Sequence, residues 1–145
     1  MNDSVETLAA TAQPHFTLSL LHAAQTVGDE LESALNSLGL SMAKQSALTK
    51  LAEAGEALTL SELAARLSCV RSNITQLIDR LEADGLVRRV DDADDRRSVR
   101  AELTQIGAEK QKAGAHAMNA VQDMLSKRLS PSDRSALESA LGAFV

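Results

Sequence analysis

Apolar residues recur at spacings of three and four along most of the chain, the period of helices that turn one face inward. From Phe16 to Leu38 the series Leu20, Leu21, Ala24, Val27, Leu31, Ala34, Leu35 and Leu38 predicts a long amphipathic helix that stops at Gly39, a usual left-handed terminator. Ser41 is placed to cap a second helix, which carries Met42, Leu48 and Leu51 toward a break at Gly55. Thr59 or Ser61 caps a short third helix with Leu63, Ala64 and Leu67 on one face and the acid Glu62 in its first turn. Cys69 and Val70 interrupt the pattern, after which Ile74, Leu77, Ile78 and Leu81 mark a fourth helix that ends before Asp84-Gly85. The period then changes: Leu86 to Val90 and Ser98 to Leu103 are strand-like runs joined by the polar connector Asp91 to Arg97, which predicts a hairpin. Thr104 caps a long helix through Leu129, whose stripe is Ile106, Ala113, Ala117, Ala120, Val121 and Leu125 and which Gly107 and Gly114 weaken locally. Ser130, Pro131 and Asp133 start a final helix with Leu137, Leu141 and Phe144.

Two short helices followed by an arginine-bearing hairpin follow the winged helix-turn-helix order. The expected fold is mainly α, a single domain over residues 1–145 with a winged helix-turn-helix region at 59–103 and a two-stranded wing. The terminal segments 14–38 and 104–145 carry more apolar surface than a chain of this size readily buries alone, so they are expected to be dimerisation helices.

Composition narrows the chemistry. The chain has 145 residues, 44% of them hydrophobic, with two Phe and no Trp or Tyr, so the core is aliphatic and large aromatic platforms are excluded. Cys69 is the single cysteine, which excludes an internal disulfide and the common cysteine-rich metal sites, and no cofactor is expected. His15, His22 and His116 are too widely spaced to form a metal motif. No nucleophile, base and orienting group converge, so no enzyme is expected. No apolar run is long enough to span a membrane, and Met1 to Gln13 lacks the positive start of a signal peptide, so a cytoplasmic protein is expected.

The net charge of -5 hides a local asymmetry. Arg66 to Arg100 holds eight arginines against seven acids, and every base in it is Arg, whose planar fork matches phosphates and guanine edges. With Ile74, Leu77, Ile78 and Leu81 turned inward, the fourth helix leaves Arg71, Ser72, Asn73, Thr75, Gln76 and Arg80 on exposed or flanking positions. Asn73 and Gln76 carry amides that pair with adenine edges, and Ser72 bonds at close range, which makes them base-reading candidates. Arg71 reaches a guanine or a phosphate, while Thr75 and Arg80 suit backbone contacts. Arg88 and Arg89 are candidate phosphate contacts on the strand. At the hairpin tip Arg96 and Arg97 form a cation pair beside Asp94 and Asp95, carboxylates placed to hold the guanidinium groups, and one arginine is placed to probe a narrow minor groove.

Leu60-Ser61-Glu62-Leu63-Ala64, then Ile74 through Glu82, then Gly85-Leu86-Val87-Arg88-Arg89 resemble the MarR family. The turn Asp92-Ala93-Asp94-Asp95-Arg96-Arg97 is similar to that family's acidic, double-arginine wing, and Leu103-Thr104 with Gly107 to the entry of its long fifth helix. The resemblance implies a homodimeric transcription regulator on a pseudo-palindromic double-stranded operator. It places Ser72, Asn73 and Gln76 on the recognition helix, Arg97 in the minor groove and Asp95 as the acid that steadies it. It also implies a repressor released by a phenolic or other amphipathic small molecule; the alternative is a constitutive or architectural DNA-binding regulator without effector response, and a protein-interaction domain that has lost DNA binding is a third class. Two positions depart from the pattern. Val70 stands where relatives commonly place Ser or Thr and supplies no capping oxygen, and Cys69 occupies a small apolar position suited to packing. The amino-terminal cysteine and neighbouring tyrosines of hydroperoxide-sensing relatives are absent, so their mechanism does not transfer.

Overall fold

A computed structural model describes residues 3–68 and 71–145, with side chains over 15–68 and 73–145. In chain order the elements are α1 (Asp3–Asn36), α2 (Met42–Ala54), β1 (Leu58–Thr59), α3 (Leu60–Leu67), α4 (Arg71–Ala83), β2 (Val87–Asp91), β3 (Val99–Leu103), α5 (Gln105–Ser126) and α6 (Pro131–Leu141), followed by a 3-10 turn at Gly142–Phe144.

Local chemistry sets most of the boundaries. α1 ends where Leu40 and Gly39 donate their N–H groups to the carbonyls of Leu35 and Asn36, a left-handed closure made possible by Gly39 at φ 72°. Leu35 and Leu40 are both buried beside it. Ser41, Thr59, Thr104 and Ser130 cap α2, α3, α5 and α6, each accepting from the backbone N–H three residues on. At α3 the cap is reciprocal, because Glu62 reaches back to accept from the Thr59 N–H at 2.8 Å. That bond is the main reason the Glu62 carboxyl sits below the ordinary carboxylate range.

The hairpin joins a third strand that the chain's pattern did not announce. β1 pairs antiparallel with β3 through Leu58 opposite Ala101, giving the sheet order β1-β3-β2. β1 is two residues long, too short for an alternating pattern, and its partner lies more than forty residues away. The two-stranded wing is thus the long part of a three-stranded sheet, and the winged helix-turn-helix region begins at Leu58, just before the expected boundary.

The core lies between α2, α3, α4 and this sheet. Leu48, Leu63, Ile74, Ile78, Leu81 and Ala101 are fully buried there, and Leu51, Leu58 and Val87 nearly so. Each large aliphatic side chain contributes about 1.5–3 kcal/mol by leaving water. The terminal helices differ. α6 buries no side chain, and Phe16, Leu18 and Leu21 on α1 are exposed. α1 packs against α5, and with α6 they form a stalk beside the lobe. Among the described residues no helix is long and apolar enough to cross a membrane.

Candidate nucleic-acid interface

α4 presents the sharpest division of chemistry. Its inner side, Ile74, Ile78 and Leu81, is inaccessible to solvent, which anchors the helix and fixes its rotation. The same rotation turns Asn73, Thr75, Gln76, Asp79 and Arg80 outward. Arg71 and Ser72 stand in the first turn of α4, with their side chains outside the described residues. Cys69 and Val70 also lie outside them, so the expectations placed on these two residues have no structural counterpart. Ser68 ends α3 in the left-handed conformation at φ 52° and donates its N–H to the carbonyls of Ala64 and Ala65, turning the chain toward α4.

The wing arginines divide into two groups. Arg89 donates to Asp79 at 2.5 Å and to Glu82 at 2.9 Å, while its backbone N–H donates to the second Glu82 oxygen at 2.9 Å. β2 is thereby clamped to the back of α4, and the Asp79 hydrogen bond chiefly raises the Arg89 pKa further. Arg88 pairs with Glu102, its cross-strand neighbour. Both residues expected as phosphate contacts therefore have carboxylate partners within the chain. Arg96 and Arg97 do not: both are exposed and neither guanidinium meets a carboxylate among the described residues.

Backbone turns order the tip. Asp92 accepts from the Asp94 N–H at 3.1 Å and Asp95 from the Arg97 N–H at 2.9 Å. The Asp94 N–H is also the leading reason the Asp92 carboxyl is held below its ordinary value. Asp95 thus meets the Arg97 backbone, where a contact to the guanidinium had been expected. Asp94 holds neither arginine among the described residues.

Arg100 is a structural arginine that the charge pattern did not single out. It donates to the Ala57 carbonyl at 3.1 Å, pairs with Asp92 at 3.4 Å and approaches Glu62 at 3.6 Å, tying the wing to the start of α3. Its alternation on β3 opposite Val90 was readable, but its partners come from three separate segments.

A cleft of about 420 Å3 opens between α2, α3 and α4. Met42, Leu67 and Leu77 form apolar parts of its wall, and Asn73, Gln76 and Arg80 line it from α4. The three histidines are exposed and on separate turns, and no three His, Cys, Asp or Glu side chains gather among the described residues.

Helices joined through the Ser68 turn, with a strand pair following directly, place the lobe in the winged helix-turn-helix class. The MarR family model matches residues 40–99, from just before α2 to the first residue of β3. The regulator PrsX of Escherichia coli is 33% identical over 97 residues, 66% of this chain, and the chain spans 58% of that relative's length. The crystal structure of YusO from Bacillus subtilis superposes with a TM-score of 0.73 at 26% identity, covering 94% of this chain and 98% of YusO. A mutant MarR from Escherichia coli, solved in complex with operator DNA, superposes with a TM-score of 0.75 at 26% identity, covering 88% and 91% of the two chains. The lobe is that of the MarR family.

Proposed function

We propose that this protein is a sequence-specific regulator of transcription that binds double-stranded DNA as a homodimer. The observation that carries the reading is the shared exposure of two surfaces: the polar side of α4 at Asn73, Gln76 and Arg80, and at the wing tip Arg96 and Arg97, whose guanidinium groups meet no carboxylate among the described residues. In this reading α4 enters a major groove, with Ser72, Asn73 and Gln76 toward base edges and Arg71, Thr75 and Arg80 toward base or backbone. Arg97, with Asp95 on its backbone amide, enters the adjacent minor groove and Arg96 stands beside it. Arg89 acts chiefly by holding the wing to α4, and Arg88 by pairing across the two wing strands. The related mutant MarR complexed with operator DNA supports the same role for this fold.

Exposed Phe16, Leu18 and Leu21 on α1 and Leu137, Leu141 and Phe144 at the carboxyl-terminal side of the stalk's sequence support burial against a second copy. A two-fold dimer requires a pseudo-palindromic operator. Its place of action is the cytoplasm, with the DNA. The reading extends to repression relieved by an amphipathic small molecule. The cleft beside α4 supports this, because an occupant resting on Met42, Leu67 and Leu77 with its polar end at Arg80 would contend with DNA for Asn73 and Gln76.

Selection of bound genomic fragments by the purified protein, followed by small-molecule titration against the best site, tests both levels. A recovered palindromic motif supports DNA reading, and failure to retain any duplex at low salt defeats it. Ligand-dependent release supports the effector. Constant affinity across a broad panel of aromatic acids and phenols would instead favour a constitutive regulator.

A further inference from the structure

Two of the contacts that join the lobe to the stalk lie on one face of α5, seven residues apart. At Gly107 a Cβ would stand 1.9 Å from the Leu86 carbonyl oxygen, so backbone lies directly against backbone. At Gly114 a Cβ would stand 2.0 Å from Oε1 of Gln45, so there the neighbour is a side chain of α2. Gln45 is 2% exposed, and it is the buried polar residue of an otherwise apolar lobe core among the described residues. Its Nε2 donates to the backbone carbonyl of Gln111 on α5 at 3.0 Å. The Thr49 hydroxyl accepts longer bonds of 3.4 Å from the amides of both Gln45 and Gln111. Gln45 Oε1 receives no hydrogen bond among the described residues.

A buried amide with an unmatched oxygen is a costly way to fill space that a Leu or Met would fill without penalty. What it supplies is direction, because an N–H finds its acceptor at one register of α2 on α5 and at few others. Gly107 gives a contact that cannot slide, and Gln45 gives one that can be released. About 1 Å of slack at the second, some 10 Å along the helix from the first, turns the lobe by about 5°.

We infer that Gln45 is a positioning residue for DNA recognition: its amide sets the angle of the lobe on the stalk, and so the separation of the two α4 helices in a dimer. The second half of this statement rests on the DNA-binding reading above. The first half does not, so the test has two arms.

In the first arm, spin labels are placed at Ala83→Cys and Asp123→Cys on a Cys69→Ser background. The labelled protein is diluted into unlabelled protein so that distances within one chain are read. Gln45→Met, which keeps length and removes the donor, broadens or displaces the lobe-to-stalk distance distribution. An unchanged distribution overturns the inference. If Gln45→Met does not fold, Thr49→Val, which removes the shared acceptor at constant shape, is expected to move the distribution in the same direction, and no movement there overturns it equally.

In the second arm, binding is measured to operators whose half-sites are moved together or apart by one or two base pairs. The wild-type protein favours one spacing, and the variant loses about fivefold of that preference, the worth of one ordinary hydrogen bond. A uniform loss of affinity at every spacing would show a merely structural role and overturn the inference. Wild-type protein that binds no duplex refutes the functional reading, and the distance measurement then decides the role of Gln45 in setting the angle.

Discussion

Replacing Arg89 by methionine keeps most of the stem and removes the guanidinium that joins β2 to α4. The side chain is 28% exposed and its partners Asp79 and Glu82 are 59% and 41% exposed, so solvent screens both pairs. Exposed pairs contribute about 0.2–1 kcal/mol each, and two sharing one planar donor give roughly 1 kcal/mol together. For a domain of this size that is a fall in melting temperature of about 2–4 °C. Thermal unfolding of Arg89→Met, Asp79→Asn and the double variant should show coupling of about 0.5 kcal/mol between the two positions. The DNA assay separates this clamp from a phosphate contact. Each neutralised phosphate adds about 0.9 to the slope of log affinity against log salt, so freeing one phosphate per protomer lowers the slope of a dimer by about 1.8. Arg89→Met is expected to leave that slope unchanged, whereas Arg97→Met reduces it. Additive melting temperatures together with a slope reduced in Arg89→Met would refute the clamp and restore Arg89 to the DNA surface.

Asn73→Ala or Gln76→Ala should weaken the cognate site and relax base preference, by about 1–3 kcal/mol of discrimination for each bidentate pairing with a base edge that the substitution removes; an unchanged selected motif would exclude that residue from base reading. Gly107→Ala should destabilise the fold by about 1–3 kcal/mol or more in chemical denaturation, because the new methyl meets a backbone carbonyl that cannot turn aside, and near-wild-type stability would contradict the close approach. Glu62 and Asp92 both have depressed carboxyl pKa values, so their stabilising bonds are fully present above the ordinary carboxylate range and are lost as pH falls through the lower folded values. Acid titration followed by amide NMR should show the Thr59 and Asp94 N–H signals moving with those carboxyls, and in Glu62→Gln the Thr59 signal should lose its response.

The order of elements was legible because its causes are short-range. A cap such as Ser41, Thr59, Thr104 or Ser130 acts on an N–H three residues away, and a helical face repeats within four, so both are written in adjacent letters. The outward positions of Asn73, Gln76 and Arg80 follow from the inward ones by the same geometry. Arg88, Arg89, Arg96 and Arg97 look alike as letters, yet the fold gives carboxylates to the first pair and leaves the second unpaired among the described residues. Glycines 107 and 114 read as weak points in a helix and prove to be the places where the lobe approaches it. β1, Arg100 and Gln45 share this character, since each has its meaning in a partner 43 to 66 residues away. Local propensity sets which segments are helix and which residues face outward. Which charge is neutralised, which glycine is indispensable and how the lobe stands on its stalk depend on distances that exist only after the chain has closed on itself.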